Sequence, residues 1–172
     1  HVDQPDVMTA KGRDTEARVL ARARGHHGLV EARARGLRTN DCRAGPRSEL
    51  LFAVPGAFTP TCSAKHLPGY VEKLEDFAKR GVDVACLSVN DAFVMGAWGQ
   101  AQNAEELLML ADGNADFTAA LGLELDGSGF GMGTRSQRFA MIVEDGTVSH
   151  LNVEDGPGID ASSAETMMTL LS

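Results

Sequence analysis

Val54-Pro55-Gly56-Ala57-Phe58-Thr59-Pro60-Thr61-Cys62 is the stretch whose reading decides the fold. Ahead of it stands Leu50-Leu51-Phe52-Ala53-Val54, a short apolar run of the buried-strand type. Behind it, residues 63–80 put Tyr70, Leu74 and Phe77 on one face and charges on the other, the pattern of an amphipathic helix. Cys62 therefore sits where a strand has ended and a helix begins. The first N–H groups of a helix lack intrahelical partners and carry partial positive charge. Both favour a thiolate, and a cysteine so placed titrates below the free value of about 8.5. Pro55 and Pro60 fix φ and stiffen the turn. Thr59, three residues before the sulfur, supplies a hydroxyl that both donates and accepts. A cysteine that merely packs fits the same spacing, since free cysteine is among the most buried residue types.

Downstream, the pattern alternates strands and helices. Pro68 is expected to kink the first helix, and Gly81 to end it. Residues 82–89 read as an interior strand, β-branched and nearly continuous in apolar character. Asn90-Asp91 can cap a helix over residues 91–102. Residues 107–110 form a third strand and residues 115–121 a short helix. Residues 122–137 hold Gly127, Gly129, Gly131 and Gly133. Their spacing is not that of a phosphate-binding loop, because Met132 fills the third glycine site, and the segment reads as a flexible surface loop. Phe139–Glu144 and Thr147–Val153 predict a hairpin across Asp145-Gly146. Ser162 or Ser163 caps a last helix with Met167, Met168, Leu170 and Leu171 on its apolar face. This order predicts an α/β layer fold.

Several separated motifs carry a resemblance. Pro-Gly-Ala-Phe-Thr-Pro-Thr-Cys-Ser at 55–63, with Lys-His-Leu-Pro-Gly-Tyr at 65–70, resembles the active-site segment of the type II, or peroxiredoxin-5, branch of the peroxiredoxins. The likeness continues through residues 85–95 and Trp98-Gly99, then Arg135-Ser136-Gln137-Arg138-Phe139-Ala140-Met141 and Leu151-Asn152-Val153-Glu154. It covers the chain from about Leu50 onward. It implies a thioredoxin-like fold with a central mixed β-sheet flanked by helices. It also implies a thiol peroxidase that reduces hydrogen peroxide and alkyl hydroperoxides, with no cofactor.

Such chemistry needs an ionised sulfur, a donor to the peroxide, charge stabilisation as the O–O bond lengthens, and exclusion of water. Cys62 supplies the sulfur, Thr59 is placed to bond the thiolate and the incoming peroxide, and Pro55 can shield the site. After residue 80 the chain holds two arginines, Arg135 and Arg138. The resemblance assigns the cationic role to Arg138, and an arginine stays charged and offers a rigid fork of donors. The bland reading pairs Arg138 with a surface carboxylate. Arg135 is expected to serve the surface.

Attack of the thiolate leaves a sulfenic acid, which a second thiol must resolve. Cys86 lies in a segment where some relatives carry a resolving cysteine, yet its apolar mid-strand setting suits buried packing. The resemblance puts an alternative resolver at the place of Ala161. Glutathione with glutaredoxin, or thioredoxin, then completes the cycle, and a homodimer is implied. His66, four after Cys62, invites a Cys–His pair, but a surface or packing role is favoured. Phe93 and Trp98 read as packing, on a side the resemblance gives to the dimer interface. A non-catalytic redox sensor or binding protein is the rival class, distinguished by slow, substoichiometric oxidation. A thiol hydrolase lacks a base and an orienting acid.

Composition sets the bounds. The 172 residues fit one domain with a core. No run reaches the 18 apolar residues of a membrane span. A net charge of −8 argues against nonspecific nucleic-acid binding. Residues 1–50 carry 10 Lys and Arg against 7 Asp and Glu, a surplus of +3 that leaves −11 on the rest. Cys42, Cys62 and Cys86 are too few for a disulfide framework, and no zinc-type spacing occurs. A reducing compartment fits, cytoplasmic in the first instance, with an organelle address open. Cys42 is read as a bystander.

Two segments are expected: 1–47, an atypical Ala/Arg-rich N-terminal stretch, and 48–172, the thioredoxin-like domain. In the first, Ala-Arg-Ala-Arg-Gly recurs at 21–25 and 32–36, and large apolar residues such as Val19, Leu20, Leu29 and Val30 are few. Such a stretch buries little surface and reads as disordered or non-homologous. Its Asp and Glu residues count against a transit peptide. The start at His1 rather than Met predicts a fragment or a processed chain.

Overall fold

The computed structural model describes residues 48–144 and 147–171, and the backbone of three short strands before them, β1 (Val7–Thr9), β2 (Val19–Ala21) and β3 (Val30–Ala32). The reading of the rest of residues 1–47, and the Asp145-Gly146 turn, lie outside the described residues. In chain order follow β4 (Ser48–Val54), a π-helical turn (Cys62–His66), α1 (Leu67–Glu72), α2 (Leu74–Lys79) and β5 (Val82–Ser88). Then come α3 (Ala92–Ala101), β6 (Leu108–Ala111), α4 (Asp116–Leu121), β7 (Glu124–Asp126), β8 (Thr134–Ser136), β9 (Phe139–Glu144), β10 (Thr147–Val153) and α5 (Ala164–Thr169).

β4 is the axis of the molecule. It pairs parallel with β5 and antiparallel with β9, so the sheet is mixed, in the order β1-β6-β5-β4-β9-β10-β2-β3. Its side chains alternate between two cores, as period-2 geometry requires. Leu50, Phe52 and Val54 face a cluster holding Cys62, Leu67, Tyr70, Phe77, Trp98 and Met167, from the Cys62 turn and from α1, α2, α3 and α5. Leu51 and Ala53 face the other side, with Leu121 of α4 and with Phe139, Met141 and Val143 of β9. Helices thus cover both faces, and β4 is apolar from Leu50 to Val54, where neither face meets water.

Three expectations need correction. The segment after Cys62 is not one helix kinked at Pro68. It opens with a wide turn in which the Leu67 N–H reaches back to the Cys62 carbonyl, and Pro68 sits where that turn gives way to α1. In a regular helix the proline ring would crowd the carbonyl four residues back, so a proline belongs at a helical start. The break falls at Lys73, with φ −103° and ψ 6°. Gly81, at φ 74°, does terminate the run. Residues 122–137 are not a loop but a small hairpin, β7 with β8, closed by a 3-10 turn over Ser128–Phe130. A Cβ on Gly127 would lie 2.9 Å from the Gly133 carbonyl, so the two arms close only through glycine. Arg135 is half-buried, not a free surface cation. Its Nε donates to the Met132 carbonyl and its Nη1 to the Val89 carbonyl, tying the hairpin to the end of β5.

Asp91 caps α3, its Oδ1 accepting from the Val94 N–H at 2.9 Å. Of the two candidate serines, Ser163 caps α5 by accepting from the Thr166 N–H. Asn90 and Ser162 are left for other work.

Candidate active site

Ligand sites in parallel α/β sheets gather outside the carboxyl ends of the strands. Here β4 and β5 end side by side at Val54 and Ser88. Ser88 Oγ donates to Asn90 Oδ1 at 2.7 Å, and the same oxygen accepts from the Ala57 N–H at 3.0 Å. Asn90 therefore pins the cysteine turn to β5. Within the turn Phe58 holds φ 61°, a conformation that costs a non-glycine residue about 1 kcal/mol. Trp98 Nε1 donates to Ser63 Oγ at 3.0 Å, which fixes the far side of Cys62 to α3.

The antiparallel hairpin brings the rest. Because β9 runs against β4, its first residue, Phe139, lies opposite Ala53 at the end of β4. Arg138, one residue earlier, thus arrives beside the cysteine turn. It is 8 % exposed, and its Nη2 donates to Cys62 Sγ at 3.4 Å. A surface pairing for Arg138 is ruled out by this burial. Cys62 itself is 1 % exposed. β10 ends where β9 begins, and the Glu154 N–H donates to the Arg138 carbonyl at 2.9 Å, so Glu154 also comes to this end of the sheet.

His66 is the main departure from expectation. It shares a face with Cys62, as the spacing of four predicts, but that face points inward, and the ring is 1 % exposed. Its Nδ1 meets Arg138 Nη1 at 2.9 Å and its Nε2 meets the Ser162 carbonyl at 3.0 Å. Burial, opposed by the Ser162 hydrogen bond and reinforced by the Arg138 charge, lowers its pKa from 6.5 to about 4, so the ring is neutral at physiological pH. Tyr70 donates its hydroxyl to the same Ser162 carbonyl at 2.7 Å and stacks on Phe52 with centroids 3.9 Å apart. Glu154 Oε1 accepts from the Ser162 N–H, the Ser162 hydroxyl and the Asp160 N–H. Burial raises the Glu154 pKa, but these hydrogen bonds outweigh it and hold the carboxyl below its ordinary value.

Thr59 lies at the start of the helical segment, its carbonyl accepting from the Ser63 N–H at 3.0 Å. Its hydroxyl proton goes to the Gly56 carbonyl at 2.7 Å, not to the sulfur as expected. The hydroxyl lone pairs are what it can offer to a bound peroxide. Pro55 opens the turn immediately after β4, half-buried. Cys86, opposite Phe52 in β5, is fully buried. Burial, with the neighbouring Cys62, pushes its thiol well above the usual range.

Sequence reasoning overlooked Asn90, Ser162, Tyr70 and Glu154 as parts of this site. Glu154 had a usable signal: it lies just past a predicted hairpin whose other strand starts beside Arg138.

A mixed sheet flanked by helices, with a buried cysteine at the strand-to-helix turn, is a thioredoxin-like fold carrying a thiol site. The Redoxin family profile matches residues 40–168, and the chain belongs to that family. It is 52 % identical over 130 residues to "Peroxiredoxin-2E-2, chloroplastic" of Oryza sativa subsp. japonica, a match covering 73 % of this chain and 58 % of that protein. The chain thus spans under two-thirds of the rice protein's length. It is 47 % identical over 130 residues to "Peroxiredoxin-2B" of Arabidopsis thaliana, covering 74 % of this chain and 80 % of that one. Among solved structures, reduced Prx3 of Vibrio vulnificus in complex with hydrogen peroxide is 58 % identical, with a TM-score of 0.71, covering 73 % of this chain and 81 % of that chain.

Proposed function

We propose that this chain is a thiol peroxidase acting on hydrogen peroxide and alkyl hydroperoxides through Cys62. The observation that carries this is the Arg138 Nη2 to Cys62 Sγ hydrogen bond at 3.4 Å in a buried site. The Cys62 thiolate attacks the terminal oxygen of the peroxide. A S–O bond forms as the O–O bond breaks, and the departing oxide takes up a proton from solvent, giving water or an alcohol. Cys62 is left as a sulfenic acid, oxidised by two electrons, and the peroxide is reduced by two. Arg138 keeps its charge throughout and can follow the negative charge from sulfur to the leaving oxygen. Thr59 accepts from the peroxide O–H, and Pro55 shields the sulfur. A relative described as bound to hydrogen peroxide supports the substrate class.

An external thiol then condenses with the sulfenic acid and releases water, and a second thiol frees Cys62. Glutathione with glutaredoxin, or thioredoxin, fits this step. The burial of Cys86 favours packing over resolution. Residues 48–172 are the working unit on this reading. Phe58 and Phe93, 56 % and 79 % exposed on elements joined by the Ala57–Asn90 hydrogen bond, support a second copy of the chain covering that face. Among the described residues no helix is long and apolar enough to cross a membrane. Free thiols suit a reducing compartment, and the rice relative's name makes an organelle as reasonable as the cytoplasm.

The test is hydroperoxide consumption with glutathione and glutaredoxin against a Cys62→Ser control. Rapid, repeated, Cys62-dependent turnover is the expected result. Slow oxidation that stops at or below one equivalent would make the protein a redox sensor instead.

A further inference from the structure

The proton order around His66 assigns it a task that the peroxidase chemistry alone does not require. A carbonyl oxygen cannot donate, so the 3.0 Å contact between Nε2 and the Ser162 carbonyl puts the ring proton on Nε2. The Ser162 hydroxyl lies 3.3 Å from the same nitrogen and gives its own proton to Glu154 Oε1 at 2.8 Å, so its oxygen too faces Nε2 as an acceptor. A neutral ring protonated on Nε2 has one free lone pair, on Nδ1. Arg138 Nη1 donates into that lone pair at 2.9 Å, while Nη2 of the same fork donates to Cys62 Sγ. Every proton in the series therefore runs one way, from Arg138 to His66 to Ser162 to Glu154.

Arginine is flexible in all but its terminal plane. Donation from Nη2 alone leaves the guanidinium free to swing about the sulfur. Donation from both ends of the fork, to two acceptors on one helical turn, fixes the plane. The His66 ring is itself fixed by Phe52, whose ring meets it edge-on at 5.1 Å, and by the Ser162 contacts. Glu154 closes the series because its backbone N–H is bonded to the Arg138 carbonyl.

We propose that His66 is a positioning residue for Arg138, presenting Nδ1 as the acceptor that aims the guanidinium at Cys62, with Ser162 and Glu154 holding the ring in the required tautomer. This rests on the peroxidase reading above. It makes the segment from Glu154 to Ser162, remote in sequence from Cys62, part of what sets the rate of peroxide reduction.

The test compares His66→Asn and His66→Phe with the wild type in single-turnover oxidation of Cys62 by hydrogen peroxide. The asparagine can place an Oδ1 acceptor near the position of Nδ1, whereas the phenylalanine fills the space with no acceptor. His66→Phe is expected to slow oxidation by about tenfold or more and His66→Asn to recover most of that loss, the scale of a misaimed catalytic donor. If His66→Phe does not fold, His66→Gln, whose amide lies one bond further from the backbone, takes its place with the same expectation. A long-range proton–nitrogen NMR spectrum of the wild type should show the Nε2–H tautomer. Wild-type rates in folded His66→Phe, or equal slowing in folded His66→Asn, would overturn the positioning role and leave the peroxidase reading intact. An Nδ1–H tautomer would do the same. A wild type with no Cys62-dependent oxidation would remove the peroxidase reading, and the role with it.

Discussion

Arg138 reaches Cys62 Sγ across 76 residues of chain, at 3.4 Å, because the antiparallel pairing of β4 with β9 sets the start of one beside the end of the other. The fork that touches the sulfur also touches His66. Arg138→Ala removes the charge and both donors. Its second-order rate with hydrogen peroxide is expected to fall by about 10²–10³, the usual loss for a preorganised transition-state donor. Arg138→Lys keeps the charge but not the fork, and should still lose about tenfold or more. Stopped-flow measurement of Cys62 oxidation checks both. A lysine variant at the wild-type rate would show that charge alone is enough.

The buried histidine makes stability depend on pH. Unfolded, His66 takes a proton near pH 6.5; folded, burial holds its pKa at about 4. Between those values the unfolded chain binds more protons, so stability is lost as pH falls from 6.5 towards 4. The loss from this one residue amounts to about 2 kcal/mol by pH 5. Glu154, with its depressed pKa, adds its own loss at lower pH, as the carboxylate protonates. Urea midpoints at pH 7.5 and pH 5 should move further apart for the wild type than for His66→Asn. Equal movement in the two proteins would mean that His66 is not the group responsible.

How much of this was legible in the sequence follows from range. β4, its turn and Cys62 are local: an apolar run, two prolines and an amphipathic stretch suffice. The hairpin of β9 and β10 is local too, and it carries Arg138 and Glu154 together. The wide turn at Cys62–His66 was not legible, because an i to i+5 carbonyl register leaves no mark in residue type. With it went the inward direction of His66. The β7–β8 hairpin reads as a loop because its glycines signal turns, while its closure depends on the missing Cβ of Gly127. The Ser162 contacts lie 92 and 96 residues from Tyr70 and His66, and no local pattern announces them.

Thr59 is expected to act through its lone pairs. Thr59→Val removes the hydroxyl that holds the Gly56 carbonyl at 2.7 Å. It should cost about 1 kcal/mol of stability, the worth of one hydrogen bond. It should also slow peroxide reduction by about a hundredfold, the low end of what a positioned acid–base group contributes. Thr59→Ser restores the hydroxyl and should restore most of both. A folded valine variant at the wild-type rate would leave Thr59 a structural turn residue.

Cys86 is expected to stay out of the cycle. Its thiol is fully buried, and burial drives its pKa upward, away from the thiolate needed for exchange. Cys86→Ala should therefore keep its turnover with glutathione and glutaredoxin. Mass spectrometry of the peroxide-treated wild type that found a Cys62–Cys86 disulfide would reverse this assignment.

The most direct measurement treats the reduced protein with one equivalent of an alkyl hydroperoxide in the presence of dimedone, then maps the adduct by mass spectrometry and quantifies the alcohol released. The account predicts one alcohol per chain and a dimedone adduct on Cys62, absent from Cys86. Peroxide left unconsumed, or an adduct elsewhere while Cys62 remains a free thiol, would contradict it.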